Sequence, residues 1–171
     1  MMLDSEQDSR PTDALEADTS QVPEQTSSAW LLDIAEGLAV AVAEQDVIYV
    51  FPEVPIVFPI PQTPAHVSGV LSWQQHLVPV IDLAVYLNRM PVDNVSAGMN
   101  VMVLLNLGNS RLGALALQQI PERADVADSS QCQLPANLRA WNGLAPSCFM
   151  HKARGVVPIL DLSVVFGGGL K

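Results

Sequence analysis

The sequence predicts an all-β fold with a few short helices, arranged as two related units, and two observations support this prediction. Residues 78–87 (VPVIDLAVYL) recur as residues 157–166 (VPILDLSVVF), with five of the ten paired positions identical. Most other apolar residues lie in short runs that are rich in β-branched side chains and separated by polar turns, as is typical of strands. Chance likeness between two Val-rich segments is the alternative, but the Pro and the Asp match in register as well as the aliphatic residues.

The chain begins with an acidic stretch, which we predict to be a disordered tail over residues 1–28, followed by a folded domain over residues 29–171. The tail holds seven acids and one base, whereas the rest of the chain holds eleven acids and seven bases. A polar segment with so few apolar side chains cannot bury enough surface to offset the entropy of ordering it. The net charge of −10 argues against nucleic acid or an anionic membrane as a partner.

The first half of the chain predicts five strands, over residues 31–34, 38–43, 47–51, 70–73 and 77–81. The second and third of these flank a polar turn as in a hairpin, although LAVAVA would also suit a buried helical turn. The Pro-rich residues 52–64 predict an extended edge, because Pro cannot donate to a central ladder. Residues 65–68 are expected to form one helical turn. Gln is unfavourable in a tight primed turn, so the Gln74-Gln75 connection is expected to be wider than two residues.

Each copy of the repeat is expected to end in a strand and a short capped helix. Asp82 and Asp161 stand where the apolar spacing changes from that of a strand to that of a helix, which is the position of an N-cap. A polar linker over residues 88–100 is the predicted seam between the two units. In the second half we expect a loop over 121–137 and strands over 101–107, 112–117, 148–150 and 156–160.

A membrane span is the alternative interpretation of residues 54–81, which contain no Asp, Glu, Lys or Arg. The same stretch contains five prolines and many polar side chains. A helix with so many interruptions could not satisfy its backbone in lipid. The chain also starts without the basic and apolar regions of a signal peptide, so we expect a cytoplasmic protein.

The residue pattern predicts neither a catalytic centre, a metal site nor a cofactor. His66, His76 and His151 lack the spacing of metal ligands. Cys132 and Cys148 are interpreted as inert packing thiols in a reducing cytosol. Asp82 and Asp161 could be imagined as a paired acid and base, but capping explains both of them.

Three tryptophans carry most of the aromatic mass. Trp30 and Trp141 are expected in the core. Trp73 lies near a hairpin tip among polar residues, where an exposed ring would suit a binding hot spot. Packing of Trp73 back over the end of its β unit is an equally good interpretation.

The run from Thr63 to Leu83 reads TPAHVSGVLSWQQHLVPVIDL. It resembles the signature of the CheW family of chemotaxis adaptors. In that signature a P-x-x-[IV]-x-G motif is followed by N-L-R-G and then by P-[VI]-[VI]-D-L. VMVLLNLGNSRLG and the closing VVPILDLSVVF also resemble segments of that family. The resemblance runs from about Trp30 to Phe166. It implies two small five-stranded β-barrels packed on a shared core.

The resemblance also implies a function, namely a non-enzymatic adaptor that binds the regulatory domain of a CheA-type histidine kinase and, as a second partner, the helical tip of a chemoreceptor. Departures from the motif, with Gln74 in place of the family's Arg and Val50 in place of an acid, suggest a divergent member in an alternative pathway such as that of a type IV pilus. The implied receptor-groove positions are Ile48, Val50, Gly69, Trp73, Gln74 and Gln75. A small all-β enzyme or ligand-binding barrel is the alternative function, and the lack of convergent titratable residues argues against it.

Overall fold

The computed structural model describes residues 23–87, 100–136, 141 and 143–167. Within these residues it contains eleven β-strands and two short α-helices. The strands are β1 (Thr26–Ala35), β2 (Leu38–Ala43), β3 (Val47–Phe51), β4 (Val67–Trp73), β5 (His76–Ile81), β6 (Val101–Asn106), β7 (Leu112–Leu117), β8 (Glu122–Ala127), β9 (Gln131–Cys132), β10 (Ser147–His151) and β11 (Gly155–Ile159). The helices are α1 (Leu83–Tyr86) and α2 (Leu162–Phe166). The predicted fold class, all-β with a few short helices, is confirmed.

The strands form two sheets, and the five-stranded one, which consists of β3 to β7, separates β1 and β2 in the chain from the other strands of the six-stranded one. A six-stranded sheet has the order β8-β1-β2-β11-β10-β9, and a five-stranded sheet has the order β3-β6-β7-β5-β4. The two-residue β9 brings the first sheet to six strands, where the resemblance implied five. The sheets are not consecutive halves of the chain, because β1 and β2 pair with late strands. The seam predicted near 88–100 stays a prediction, since residues 88–99 lie outside the described residues.

Both sheets curl so that their edges approach each other. β8 and β9 are the two edges of the six-stranded sheet, yet only the 3-10 turn Asp128–Ser130 separates them in sequence. β3 and β4 are the edges of the five-stranded sheet, yet the rings of Tyr49 and Trp73 have centroids 4.9 Å apart. Strands so far apart in the hydrogen-bonding order can meet only if the sheet wraps round. This is the geometry expected of two small barrels.

Among the described residues, three clusters of buried side chains fill the two sheets and the space between them. β6 shows the arrangement, since Val101, Val103 and Leu105 point into a large shared cluster while Met102 and Leu104 fill the five-stranded sheet. A third cluster fills the six-stranded sheet and includes Leu31, Ala41 and Phe149. Strands buried on both faces explain why VMVLLN and LAVAVA lack the polar alternation of one-sided strands.

The sequence repeat corresponds to the same structural unit in each sheet. β5 pairs in parallel with β7 and leads into α1, while β11 pairs in parallel with β2 and leads into α2. Asp82 and Asp161 follow these strands, and the backbone N–H of each donates to a carbonyl, that of His66 at 2.8 Å and that of Leu144 at 2.7 Å. The repeat therefore marks a strand, an aspartate cap and a helix in equivalent positions.

The predicted hairpin of residues 38–43 and 47–51 is wrong, although both strands exist. β2 pairs with β1, and β3 pairs with β6 of the other sheet. The 3-10 turn Glu44–Asp46 carries the chain from one sheet to the other. The two apolar runs are spaced along the sequence as in a hairpin. Each strand nevertheless pairs with a strand that is distant in the sequence or lies on its other side, because tertiary packing decides the pairing.

Three other local predictions are corrected by the structure. The helical turn expected over residues 65–68 is only a single hydrogen-bonded turn, in which the Val67 N–H donates to Pro64 O at 2.9 Å, and β4 begins at Val67. The loop expected over 121–137 contains β8 and β9, which a polar sequence and an edge position concealed. The predicted tail ends too late, because Thr26, Ser27 and Ser28 pair with β8 as part of β1. Residues 1–22 of that tail lie outside the described residues.

Candidate partner-binding surface

The curl of the five-stranded sheet brings together residues from β3 and from the β4–β5 hairpin. Trp73 lies at the end of β4, and its ring centroid is 4.9 Å from that of Tyr49 and 5.2 Å from that of Phe51. Phe51 is buried in the sheet interior, whereas Tyr49 is 40% exposed. Trp73 is half-buried and packs against this interior cluster, so it covers the barrel end while keeping part of its ring accessible. The sequence pattern does not reveal the roles of Tyr49 and Phe51, because their contacts with Trp73 cross the closed sheet.

Ile48 and Val50 have different environments although both lie on β3. The pairing of β3 with β6 shifts register between Val47 and Tyr49, and Ile48 is 46% exposed. Val50 is half-buried and packs against the shared core. Ile48 is therefore available to a partner, whereas a charged side chain at position 50 would have to be accommodated beside apolar groups.

The Gln74-Gln75 connection is a two-residue turn, so the prediction of a wider loop is wrong. Trp73 pairs directly with His76, and the φ angles of Gln74 and Gln75 are 45° and 70°. Positive φ at both central residues is the geometry of a type I′ hairpin turn, for which Asn and Gly are the favoured residues. Gln has a Cβ that is disfavoured there by roughly 1–2 kcal/mol per residue. Both side chains are exposed at the tip of the hairpin.

Gly69 has a backbone role in this region. Its φ is +140°, and a Cβ at this position would lie 2.2 Å from the carbonyl oxygen of Phe58. The close approach allows two hydrogen bonds, in which the Phe58 N–H donates to Val70 O at 2.7 Å and the Val70 N–H donates to Phe58 O at 2.9 Å. Gly69 therefore places the Pro-rich segment against β4.

The Pro-rich segment, which lies along the edge of β4, exposes a line of apolar side chains. Val57 packs inwards against the five-stranded sheet, while alternate residues on the other side are exposed. We call this exposed set the apolar strip, and it consists of Val54 (40% exposed), Ile56 (76%), Phe58 (55%) and Ile60 (43%). The predicted extended edge is present, but its exposure was missed. Alternation of apolar residues in PEVPIVFPIP was the available signal.

Asp82 and Asp161 are the N-caps of α1 and α2. The Asp82 carboxylate accepts the Val85 N–H at 3.0 Å, and Asp161 accepts the N–H groups of Ser163 at 2.9 Å and Val164 at 3.3 Å. Burial raises the pKa of Asp82, and its backbone hydrogen bonds oppose that rise. The hydrogen bond from the Ser163 hydroxyl, with help from the backbone bonds, lowers the pKa of Asp161.

The described residues contain no group of three or more His, Cys, Asp or Glu side chains that could hold a metal ion. Burial lowers the pKa of His66, whose ring packs edge-on against Tyr86 at 5.1 Å. A pocket of about 300 Å³ opens at one end of the six-stranded sheet, and among the residues that line it only Asp128 and Cys148 are titratable. The two cysteines, interpreted above as inert packing thiols, are neighbours with sulfurs 3.0 Å apart. None of the described helices is long and apolar enough to span a membrane.

Comparisons with known proteins agree with this architecture. A family model described as the CheW-like domain matches residues 31–168. Among solved structures, the fold is similar to that of the scaffolding protein TtCheW from Thermoanaerobacter tengcongensis, with a TM-score of 0.69 and 16% sequence identity. That likeness covers 86% of this chain and 92% of the other. A comparison with curated proteins finds no significant match.

Proposed function

Because this chain belongs to the CheW-like domain family, we propose that it is a non-enzymatic adaptor of bacterial chemosensory signalling. Its first partner is the regulatory domain of a CheA-type histidine kinase. The adaptor acts by binding its partners and holding them in a defined geometry, and it makes or breaks no covalent bond. The proposal rests on family membership together with a surface suited to another protein.

The single observation that carries the proposal is the apolar strip. Exposed large apolar side chains in a contiguous line commonly mark protein–protein interaction sites. Between Val54 and Ile81 the chain has no charged residue, so this part of the surface would lose little hydration energy on burial. The strip edge resists simple strand addition, because Pro55, Pro59 and Pro61 cannot donate backbone hydrogen bonds. A partner would therefore engage the side chains of the strip.

We propose a chemoreceptor tip as the second and weaker partner. The positions assigned to it by resemblance are Ile48, Val50, Gly69, Trp73, Gln74 and Gln75. Exposed Ile48 and Tyr49, with the accessible part of Trp73, supply an apolar contact around the β4–β5 hairpin. The charge-assisted, directed contacts of an Arg are missing at Gln74, since a neutral amide cannot replace a guanidinium. An alternative chemosensory pathway, such as that of a type IV pilus, fits this divergence.

The test is calorimetric titration of the protein with a CheA-type regulatory domain, using a matched pair of variants. Ile56 is 76% exposed in the strip, and Ile120 is 73% exposed between β7 and β8. Ile56→Ser and Ile120→Ser therefore change solvation by nearly the same amount. We expect Ile56→Ser to weaken kinase binding about tenfold, which is the usual effect of losing one well-packed apolar contact. Ile120→Ser should bind as the unmodified protein does.

Two outcomes would contradict the proposal. Absence of binding to any CheA-type regulatory domain would remove the kinase partner. Equal weakening by Ile56→Ser and Ile120→Ser would show that the apolar strip is not the contact surface. A stability measurement on both variants excludes unfolding as the cause of lost binding.

A further inference from the structure

Cys132 and Cys148 lie directly opposite each other on neighbouring antiparallel strands. Cys132 of β9 pairs with Cys148 of β10, and the two Sγ atoms are 3.0 Å apart. The Cys148 thiol also donates to the backbone oxygen of Cys132 at 2.9 Å. Directly paired residues in antiparallel strands have Cα atoms roughly 4.5–5.5 Å apart, which is within the range that a disulfide bridges. A sulfur–sulfur bond of about 2.05 Å therefore needs only a small side-chain rotation.

The two thiols differ in their access to solvent. Cys148 is fully buried and lines the pocket at the end of the six-stranded sheet. Burial raises the pKa of Cys148 to about 11, and the adjacent Cys132 thiol adds to that rise. Cys132 is half-buried on an edge strand, where a small oxidant can reach it. The arrangement is that of an accessible thiol beside a shielded resolving thiol.

We propose that Cys132 and Cys148 form a redox-modification site, at which hydrogen peroxide converts the two thiols into a reversible disulfide between β9 and β10. In the first step the Cys132 thiolate attacks peroxide, so that an S–O bond forms, the O–O bond breaks and hydroxide leaves. In the second step the Cys148 sulfur attacks the Cys132 sulfenic acid, the S–S bond forms and hydroxide leaves again. Each hydroxide takes up a thiol proton, so two thiols and one peroxide give one disulfide and two waters.

The disulfide would strengthen the six-stranded sheet at its shortest strand, β9. β9 contributes only two residue pairs, Cys148 with Cys132 and Phe149 with Gln131. β9 also forms the edge that faces β8 across the turn Asp128–Ser130. A covalent link that closes a loop of about 15 residues stabilises a fold mainly by restricting the unfolded chain. Oxidation would thus link β9 covalently to β10 at the edge of this barrel, and reduction would remove the link.

To test this proposal, the purified full chain is treated with hydrogen peroxide. Its intact mass, its number of free thiols and its melting temperature are then measured. We expect both thiols to be lost together, with a loss of two hydrogens and no added oxygen. The melting temperature should rise by roughly 6–12 °C, because closing a loop of this length contributes about 3 kcal/mol and each kcal/mol shifts the melting temperature of a domain of this size by about 2–4 °C. Dithiothreitol should reverse both changes.

Two variants separate the steps. Cys148→Ser should accumulate a sulfenic acid at Cys132 that reacts with dimedone, without a rise in melting temperature. Cys132→Ser should resist oxidation, because its remaining thiol is buried. If Cys148→Ser does not fold, Cys148→Ala takes its place. If neither variant folds, the intact mass of the oxidised, unsubstituted chain tests the proposal by itself, because a disulfide removes two hydrogens and adds no oxygen. Oxygen added at Cys132 while Cys148 keeps its thiol, or disulfides formed only between chains, would overturn the proposal.

Discussion

The Trp73 ring at the end of β4 lies 4.9 Å from the Tyr49 ring on β3, although these strands are opposite edges of a five-stranded sheet. Phe51 completes the cluster, with edge-to-face contacts to Tyr49 at 5.1 Å and to Trp73 at 5.2 Å. The three rings therefore close the sheet at the place where the candidate partner-binding positions meet.

Removal of the Trp73 ring should destabilise the fold as well as alter the surface. Truncation of a fully buried Trp costs about 3–5 kcal/mol, so half-buried Trp73→Ala should cost roughly 2 kcal/mol. Trp73→Phe should recover more than half of that loss, because an aromatic ring still meets Tyr49 and Phe51. Urea denaturation followed by circular dichroism measures both. A loss below about 0.5 kcal/mol, typical of a surface substitution, would mean that the ring does not help to close the sheet.

Gly69→Ala should be among the most damaging small substitutions in the chain. The added Cβ would meet the Phe58 oxygen at 2.2 Å at a φ of +140°, so the Pro-rich segment would have to leave β4. We expect a loss of about 3 kcal/mol or more from overpacking and backbone strain together. Gly37→Ala is the matched control, since its φ is +67° but no atom lies within 4 Å of the added carbon. The free energy of unfolding of this control variant should fall by only about 1 kcal/mol, as measured by thermal denaturation.

Gln75→Gly should stabilise the protein. Gln75 has a φ of 70° in a two-residue turn, and Gly adopts this conformation without the steric cost of a Cβ. The expected gain in the free energy of unfolding is about 1 kcal/mol. Gln75→Ala keeps the Cβ and should give no comparable gain. Equal stability of the Gly and Ala variants would show that backbone strain at this turn is negligible.

The two capping aspartates should respond to pH in opposite directions. The pKa of Asp161 is lower in the folded protein than in the unfolded chain. Its negative charge therefore stabilises the folded state above about pH 4, and this stabilisation is lost as the pH falls through the folded pKa. Asp82 has a raised pKa, so its ionised form opposes folding and the protein gains from protonating it. Asp161→Asn should therefore cost most at neutral pH, and Asp82→Asn should cost least there. Chemical denaturation from about pH 3 to 7 measures both trends.

Replacement of either cap by Ala should cost roughly 1 kcal/mol, because the helix loses its N-terminal acceptor. Asn keeps an acceptor oxygen, so the pH comparison of the Asn variants isolates the charge from the cap. Parallel pH profiles for the two Asn variants would contradict the opposite pKa shifts.

Gln74→Arg should increase binding to a chemoreceptor tip. Gln74 is exposed at the hairpin tip, so a guanidinium can reach solvent and a partner without disturbing the core. We expect a gain of roughly tenfold in affinity, equivalent to about 1.4 kcal/mol. Val50→Glu is the contrasting variant, since half-buried Val50 packs against the shared core and a partly desolvated carboxylate there should lower stability. Co-sedimentation with receptor arrays measures the first effect, and tight receptor binding by the unmodified protein would contradict the proposed weakness.

The sequence by itself determined the class of fold, the duplicated strand, cap and helix, and the positions of most strands. These features depend on local chemistry, since β-branched runs favour extended backbone and Asp before a short apolar segment favours a cap. Only the tertiary structure decided which strand pairs with which. β2 and β3 are separated by three residues yet belong to different sheets, because β3 pairs with β6 and places Phe51 inside the five-stranded sheet. Similarly, Cys132 meets Cys148 because β9 pairs with β10, and Trp73 meets Tyr49 because closure of the five-stranded sheet joins its two edges, and no local pattern relates either pair.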